Sequence, residues 1–415
     1  MAFPVNLTGA SLSQKTMPRA LSAIIINISR RKCMSSSIYS HFALCYNDVK
    51  NNSKGGKYMR KYYLDNIRWL TIVCVVIFHV IYLFNGEATA GVVGPFKEVQ
   101  YQDALQYLLY PWMMILLFLV AGMCARYYLE THTVKAFVKS RTVKLLVPST
   151  IGLFVFQWIQ GYFNMQLSGA FDKIEAPRFM LYPIMAISGV GVLWFIQTLW
   201  LFSMVLALIR HFEKGKLYEL TRRANILIAA ALVIPVYASS FVLNTPVIVA
   251  YRFGIYGMTF LLGYFVFAHD EVIERISRWS LPLLLLSAIL GGLYVYLHFG
   301  DNYAENPTFN SIPAIAFAWS ACLAILGSAY RWYNRQTALS SFMTKRSYGL
   351  YIFHYLPLSA SAYLLHTYTD LSALPTYFIV LVCGFAGGLL LNELLSRIPF
   401  IRWAVLGIAK EKKHV

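Results

Sequence analysis

Long apolar runs separated by short polar connections dominate the chain from about residue 66 onward. A helix needs roughly 20 mostly apolar residues to cross a bilayer, and about ten runs approach or reach that length. We predict spans near residues 66–84, 105–125, 146–165, 190–209, 225–243, 249–268, 281–298, 311–330, 348–367 and 375–394. Open sheet edges cannot face lipid, and runs of this length are helices rather than barrel strands. The pattern therefore predicts an all-α polytopic membrane protein.

The connections between these runs alternate in charge. The even-numbered connections and the C-terminal segment hold 21 Lys and Arg residues, whereas the other connections hold 3. Because positive residues favour the cytoplasmic side, this alternation predicts an even number of spans with both termini in the cytoplasm. The chain is 58% hydrophobic and 13% charged, with a net charge of +18. Helix orientation explains that charge, and nucleic-acid binding is not indicated.

The two ends of the chain differ from its middle. Residues 1–58 are polar and basic, with one short apolar run at 21–28 that cannot span a bilayer. They are either a disordered cytoplasmic extension or a mis-assigned stretch before a native start at Met59, and we favour the second interpretation. Residues 59–400 form the predicted membrane domain, and residues 401–415 form a basic cytoplasmic tail.

The first apolar run contains two ionisable residues, Arg68 and His79, which are eleven positions apart. Eleven residues complete three helical turns and about 20° more, with a rise of about 16 Å. Both side chains therefore share one stripe, with Arg68 near the cytoplasmic end and His79 near mid-bilayer. This arrangement is typical of a polar channel that admits a phosphate-bearing donor and supports proton chemistry deeper inside. The alternative is a snorkelling interfacial arginine and a histidine satisfied inside the bundle.

Other polar residues at membrane depth are weaker candidates. His354 could line the same cavity, or it could bond a backbone carbonyl in the core. Trp194 and Gln197 could line the cavity or join helices by packing and hydrogen bonds, and Tyr351 is a further possible lining residue. We expect Arg252, near the outer end of the sixth run, to snorkel towards water. The six cysteines include no CxxC pair, so neither a disulfide framework nor a metal site is predicted.

Several segments resemble the acyltransferase type-3 family of ten-span membrane O-acyltransferases, including its glucan-modifying branch. They are the stretch from Tyr62 to Arg68 followed by His79, the basic stretch Arg141-Thr-Val-Lys144-Leu-Leu-Val-Pro148, Leu193-Trp194-Phe195, and the stretch from Ser347 to His354. The resemblance runs from about residue 59 to the C-terminus. Members of this family modify cell-surface and periplasmic glycans and some small molecules.

The resemblance implies a role for each matched residue. His79 would be the catalytic histidine, acting as general base on the acceptor hydroxyl or in acyl relay. Arg68 and Arg141 would bind acyl-CoA. Lys144 would do the same, although the family usually has an arginine there and lysine lacks the bidentate fork.

The same resemblance implies the partners and the location. No bound cofactor is expected, and acyl-CoA, most often acetyl-CoA, would be the co-substrate. The acceptor would be a carbohydrate or a small molecule. The protein would lie in the lipid bilayer of the plasma membrane.

The residues alone leave two other function classes open. A secondary transporter would have helices broken by Gly or Pro near mid-bilayer, and Gly384, Gly387 and Gly388 in the last run come nearest to that pattern. Small residues there also allow close helix packing. A transporter should move its substrate without consuming acyl-CoA. A membrane scaffold or sensor would not need Arg68 and His79.

Overall fold

Helices and their connections make up the part of the chain that the structure describes. This computed structural model describes residues 60–86, 92–96, 101–174, 176–213, 215–244 and 250–408. The predicted extension, 1–58, lies outside the described residues, and so do residues 409–415 of the predicted tail. Within the described ranges there is no strand, only an isolated bridge between Asn244 and Arg252. The all-α prediction is confirmed.

The helices of the described ranges are numbered here in chain order. They are α1 (Tyr62–Tyr82), α2 (Tyr101–Thr131), α3 (Val134–Leu167), α4 (Arg178–Ser188), α5 (Gly191–Glu213), α6 (Lys216–Thr221), α7 (Ile226–Ser239), α8 (Phe253–Phe267), α9 (Asp270–Ser277), α10 (Ser280–His298), α11 (Asn306–Phe309), α12 (Ile312–Trp332), α13 (Ala338–Phe353), α14 (Tyr355–Tyr368), α15 (Ala373–Leu395) and α16 (Pro399–Leu406). Helix α3 contains two π-helical segments, and α8 ends in another.

Seven of these described helices are long and apolar enough to cross a membrane: α1, α2, α3, α5, α10, α12 and α15. They coincide with seven of the ten predicted runs. The runs near 225–243 and 249–268 are also helical but shorter, at 10–17 residues. The run near 348–367 is divided between α13 and α14 at His354. The chain is therefore an all-helical, multi-pass membrane protein.

Helix α1 lies at the centre of the bundle. It contacts α2, α12, α13, α14 and α15. In α1 and α12, 67% and 78% of the apolar stretch is buried, whereas α10 and α15 bury only 28% and 22%. The peripheral helices can expose apolar side chains because lipid is their solvent. The polar side chains of α1 consequently face protein.

Two helix crossings depend on reciprocal glycines. Where α2 meets α8, a Cβ added at Gly122 would lie 2.0 Å from the carbonyl oxygen of Phe260, and one added at Gly263 would lie 2.0 Å from that of Leu119. Real Cβ atoms essentially never come within 3.0 Å of a non-bonded heavy atom of another segment. The crossing of α3 and α4 is built in the same way. Such close backbone approach stabilises helix pairs in lipid, where packing replaces the hydrophobic effect.

Helix α15 is continuous through Gly384, Gly387 and Gly388. Cβ atoms at these positions would collide with α14 and with the residue before it, His354. The interpretation of the three glycines as packing residues is confirmed, and no helix break occurs at them.

The connections gather at the two ends of the bundle. At one end, Asn66 of α1 donates a hydrogen bond to the Tyr333 carbonyl at 2.5 Å and so holds the connection after α12. At the other end, Tyr107 of α2 donates to the Asp301 carbonyl at 2.6 Å and holds the connection after α10. Each bond joins segments whose charge pattern assigns them to the same side of the membrane.

Arg252 is buried at the second of these ends, so the prediction that it snorkels is wrong. The residue is 1% exposed. Its guanidinium donates to Asn306 Oδ1 at 2.7 Å and to the Ala304 carbonyl at 2.5 Å, and it lies 4.0 Å from the centre of the Phe309 ring. Neutral oxygens and an aromatic face replace water around the charge. These contacts fasten the connection after α10 against α8.

The segment predicted as a basic tail begins with a docked helix. Helix α16 packs against the middle of α3, where a Cβ added at Gly152 would lie 2.9 Å from the Ala404 carbonyl oxygen. The helix ends at Gly407, whose φ of +64° favours glycine. Gly407 also lies against the backbone of Lys144. Helix α16 therefore covers the segment of α3 that carries the predicted donor-binding lysine.

We expect Gly122→Ala to lower the free energy of unfolding, because the added methyl group overlaps the Phe260 carbonyl and forces α2 away from α8. Overpacking of this kind costs about 1–3 kcal/mol, sometimes more. Gly292→Ala is the matched control, since a Cβ at this α10 position meets nothing within 4 Å and alanine favours a helix by about 1 kcal/mol. Melting curves in detergent compare the two variants. Equal stability of the two proteins would contradict the prediction.

Candidate active site

Two histidines meet inside the bundle. His79 lies on α1, and His354 lies between α13 and α14. His354 Nε2 and His79 Nδ1 are 3.1 Å apart, which is a hydrogen-bond distance. His354 is fully buried, whereas His79 is only half-buried. His354 is therefore in direct contact with the predicted catalytic histidine.

The position of His354 follows from the local sequence. Pro357 has no backbone N–H, and its ring clashes with the carbonyl of Phe353 four residues earlier in a regular helix. Helix α13 accordingly ends at Phe353, and α14 begins at Tyr355. On the other side of this junction, Gly388 of α15 leaves room for the His354 backbone, because a Cβ there would lie 3.1 Å from the His354 Cα.

The second nitrogen of His354 is bound to the backbone. His354 Nδ1 lies 3.1 Å from the Leu350 carbonyl oxygen and 2.9 Å from that of Tyr351. The alternative prediction, a core histidine bonded to a backbone carbonyl, is therefore also observed. A carbonyl oxygen can only accept, so Nδ1 of His354 must carry a hydrogen.

Aromatic rings surround His79. The ring centres of Phe78, Tyr82 and Tyr355 lie 5.4, 6.2 and 5.0 Å from the centre of the His79 ring. Among the described residues, His79 Nε2 takes part in no hydrogen bond. In this part of the chain, His79 is therefore held through Nδ1.

Arg68 stands near the beginning of α1, on the same continuous helix as His79. It is buried, forms an ion pair with Asp65, and donates from Nε to the Leu64 carbonyl at 3.3 Å. Arg60 binds the same carboxylate at 2.7 Å. Two guanidinium groups thus share the Asp65 carboxylate.

Arg141 and Lys144 lie in α3, where the π-helical segment Thr142–Leu146 begins. Arg141 is buried, and its guanidinium lies 5.0 Å from the centre of the Phe137 ring. Irregular π-helical turns are frequent at functional sites. Within the described ranges, Arg68, Arg141 and Lys144 form no hydrogen bond with His79 or His354.

The proline of this basic stretch is linked to the tyrosine of the stretch from Ser347 to His354. Pro148 has no N–H, so the Lys144 carbonyl four residues earlier cannot receive the usual helical bond from residue 148. The Tyr348 hydroxyl donates to that carbonyl at 2.7 Å. In lipid, backbone polar groups must be satisfied within the protein. The bond therefore joins α3 to α13 at the point where the helix is irregular.

Two other arginines, near the C-terminal ends of α2 and α5, contact neighbouring helices. Arg126 lies 3.5 Å from the centre of the Tyr218 ring, and Arg210 donates to the Tyr264 hydroxyl at 3.0 Å. Burial raises the pKa of Tyr218 to about 12 despite the nearby guanidinium, so the phenol stays neutral. Arg126 thus joins the end of α2 to α6, and Arg210 joins the end of α5 to α8.

The remaining predicted lining residues bond between helices. Gln197 donates to the Ser149 carbonyl at 3.0 Å and accepts from the Tyr251 hydroxyl at 2.5 Å. The Tyr351 hydroxyl donates to the Val192 carbonyl. Trp194 packs among aromatic rings, with its centre 5.6 Å from that of Tyr256. These contacts are the interhelical hydrogen bonds and packing predicted as the alternative to lining a cavity.

Sequence reasoning missed the two tyrosines beside His79. Tyr82 follows His79 by three residues, so the helical period places the two together. Tyr355 follows His354 directly. In the described part of the chain, no group of three or more His, Cys, Asp or Glu side chains is arranged to hold a metal ion. The chemistry that this arrangement offers is acceptance and donation of a proton at His79.

Comparison with protein families gives one match. Residues 61–393 match the profile of the acyltransferase type-3 family, described as an acyltransferase domain. This range covers most of the chain and contains both histidines. Searches among curated proteins and among solved structures found no match.

We expect Tyr348→Phe to destabilise the protein, because it removes the hydrogen bond to the Lys144 carbonyl. Loss of a hydrogen bond of this kind costs about 0.5–1.5 kcal/mol. Tyr296→Phe is the matched control, since Tyr296 is 84% exposed on α10. Melting temperatures in detergent provide the measurement. If both variants melt together with the unmodified protein, the bond does not join α3 to α13 energetically.

Proposed function

Because the chain belongs to the acyltransferase type-3 family and is an acyltransferase, we propose that it transfers an acyl group from cytoplasmic acyl-CoA to a hydroxyl group. The acyl group is acetyl in the first instance, and the acceptor is a cell-surface carbohydrate or an exported small molecule. The helices make this a membrane enzyme. His79 is the proposed general base.

One observation carries the role of His79. Its imidazole lies on the central helix, is held through Nδ1 by His354, and leaves Nε2 without a protein partner in the described ranges. An imidazole is suited to proton transfer near neutral pH. A half-buried ring on α1 can meet a substrate while the rest of α1 packs on its neighbours.

The proposed reaction has a simple balance. Nε2 takes the proton of the acceptor hydroxyl as the oxygen attacks the thioester carbonyl carbon. A carbon–oxygen bond forms, the carbon–sulfur bond breaks, and the proton passes from His79 to the departing CoA thiolate. The products are the acylated acceptor and free CoA, and the imidazole returns to its starting state.

The proposed donor site lies at the cytoplasmic end of the bundle. Acyl-CoA is a polyanion, and Arg68, Arg141 and Lys144 offer cations at the start of α1 and in α3. Phosphate groups bind such guanidinium and ammonium groups strongly.

The proposed topology has about ten spans, with both termini in the cytoplasm of a plasma-membrane protein. It counts α7, α8 and the pair α13–α14 with the seven longer helices. The excess of 21 basic residues over 3 supports the orientation. The two groups of contacts at the ends of the bundle are consistent with it, because each joins segments assigned to the same side.

A secondary transporter is the alternative function. One observation favours it: the helical run is interrupted at His354, between α13 and α14. Transporter helices are often interrupted in this way at their binding sites. Membership of an acyltransferase family argues against it. A transporter would move its substrate without forming free CoA, so an assay of CoA release separates the two functions.

We expect acetyl-CoA to stabilise the purified full-length protein. A ligand at 100 times its dissociation constant adds about 2.7 kcal/mol, which a melting curve resolves. The shift should disappear in Arg141→Ala and Arg68→Ala, which lack a donor-binding cation, and persist in His79→Ala. Arg278→Ala is the control, because Arg278 is exposed and its ion pair among the described residues is with Glu274, four positions earlier. If acetyl-, succinyl- and longer acyl-CoAs all fail to shift melting, the proposed donor is wrong.

We expect His79→Ala to lower the rate of acyl transfer by about 10²–10⁴-fold, the usual contribution of a general base. Release of the CoA thiol in the presence of a panel of carbohydrate and small-molecule hydroxyl acceptors measures this rate. The same preparation must still show the acetyl-CoA melting shift, so that loss of rate is not loss of fold. A wild-type rate in His79→Ala would remove His79 from the mechanism.

A further inference from the structure

We propose that His354 is a positioning residue that sets which nitrogen of His79 carries the proton. This inference rests on the proposed function, in which His79 is the base. It is carried by a continuous line of hydrogen bonds that runs from the backbone of α13, through His354, to His79. The chemistry of each acceptor in this line fixes the direction of the next bond.

The first bond has one possible direction. Nδ1 of His354 faces the carbonyl oxygens of Leu350 and Tyr351 at 3.1 and 2.9 Å. Both oxygens are acceptors, so Nδ1 is the protonated nitrogen of this ring. A neutral imidazole has a single N–H, which leaves Nε2 of His354 with a lone pair.

The charge state of the ring follows from its surroundings. His354 is fully buried, and burying an unpaired imidazolium is costly. Within the described ranges, the ion pair that involves a histidine belongs to His298 and Asp301. Neither His79 nor His354 has a carboxylate partner there. His354 is therefore neutral and accepts through Nε2.

The second bond then has one direction as well. His79 Nδ1, 3.1 Å from His354 Nε2, must supply the hydrogen. With the hydrogen on Nδ1, the lone pair of His79 is on Nε2. Among the described residues this nitrogen forms no hydrogen bond, and it is the one that the proposed reaction requires.

The tautomer matters because a free neutral histidine prefers to carry its hydrogen on Nε2. A histidine in that form presents an N–H to the acceptor hydroxyl and cannot take its proton. The hydrogen bond made by one ring nitrogen determines the state of the other. His354 has the same effect after proton transfer, because its Nε2 then accepts from the charged His79 ring.

The fold holds His354 in the orientation this role requires. Its ring lies within hydrogen-bond distance of two carbonyls in the last turn of α13. Pro357, three residues after His354, cannot donate the regular helical bond to Phe353. Gly388 brings the backbone of α15 against the same residue. A ring enclosed in this way presents Nε2 to α1 in one orientation.

Kinetics of two substitutions test the proposal. His354→Leu removes the acceptor at similar volume, and His354→Gln places an amide oxygen near the position of Nε2. We expect His354→Leu to lower kcat by about 10²-fold or more with little change in KM for acyl-CoA. His354→Gln should recover a large part of the loss. A His354→Leu protein that melts normally, binds acyl-CoA and keeps its kcat would overturn the proposal, and so would equal loss in both variants.

A spectroscopic measurement on the unmodified protein tests the same point without a variant at position 354. The full chain contains nine histidines, so ¹⁵N-histidine labelling and comparison with His79→Ala identify the His79 signals by solid-state NMR in lipid. We expect a protonated Nδ1 and an unprotonated Nε2 at His79. The opposite tautomer would overturn the proposal even if both variants at position 354 failed to fold.

The outcomes separate this inference from the proposed function. A wild-type rate in His79→Ala would end the role of His79 as base, whatever the tautomer is. Normal catalysis in His354→Leu together with an inactive His79→Ala protein would leave the base in place. That result would reject only the positioning role.

Discussion

The hydrogen bond between the two imidazoles depends on three separate helical segments meeting at one point. Helix α1 brings His79 to the centre of the bundle, the interruption at Pro357 brings His354 beside it, and Gly388 allows α15 to close behind the junction. Hydrogen bonds weaken steeply as distance and angle change. A shift of any of these segments would therefore weaken the contact, so helix packing at a distance from the two rings helps to maintain their hydrogen bond.

Lipid imposes a second constraint, which is that each backbone carbonyl needs a partner inside the protein. A proline within a helix cannot donate the regular backbone hydrogen bond to the carbonyl four residues earlier, and a side chain can supply that bond instead. Pro148 leaves the Lys144 carbonyl without its usual donor, and Tyr348 supplies a hydroxyl. The basic stretch of α3 and the tyrosine of α13 are thus two halves of one structural unit.

Several features could be predicted from sequence because they depend on local periodicity. The length and apolarity of the runs predicted the all-helical fold and about ten spans, of which seven are long apolar helices in the described ranges, and Arg68 and His79 lie on one helix, α1, as predicted. The contact of His79 with His354 could not be predicted, because 275 residues separate them and only packing brings them together. The burial of Arg252 was missed for the same reason, since its partners belong to a connection that folds back over it.

The continuous helix α1 has a consequence for the choice of donor. Arg68 and His79 are about 16 Å apart along its axis, and no break in α1 allows that distance to adjust. If phosphate groups are held at the Arg68 end, the thioester must extend about this far to meet the imidazole. The spacing of Arg68 and His79 on α1 would then set the length that the acyl carrier must have. A thioester on a shorter carrier would stop before it reached His79, so selection would rest on the reach of the carrier as well as on the acyl group.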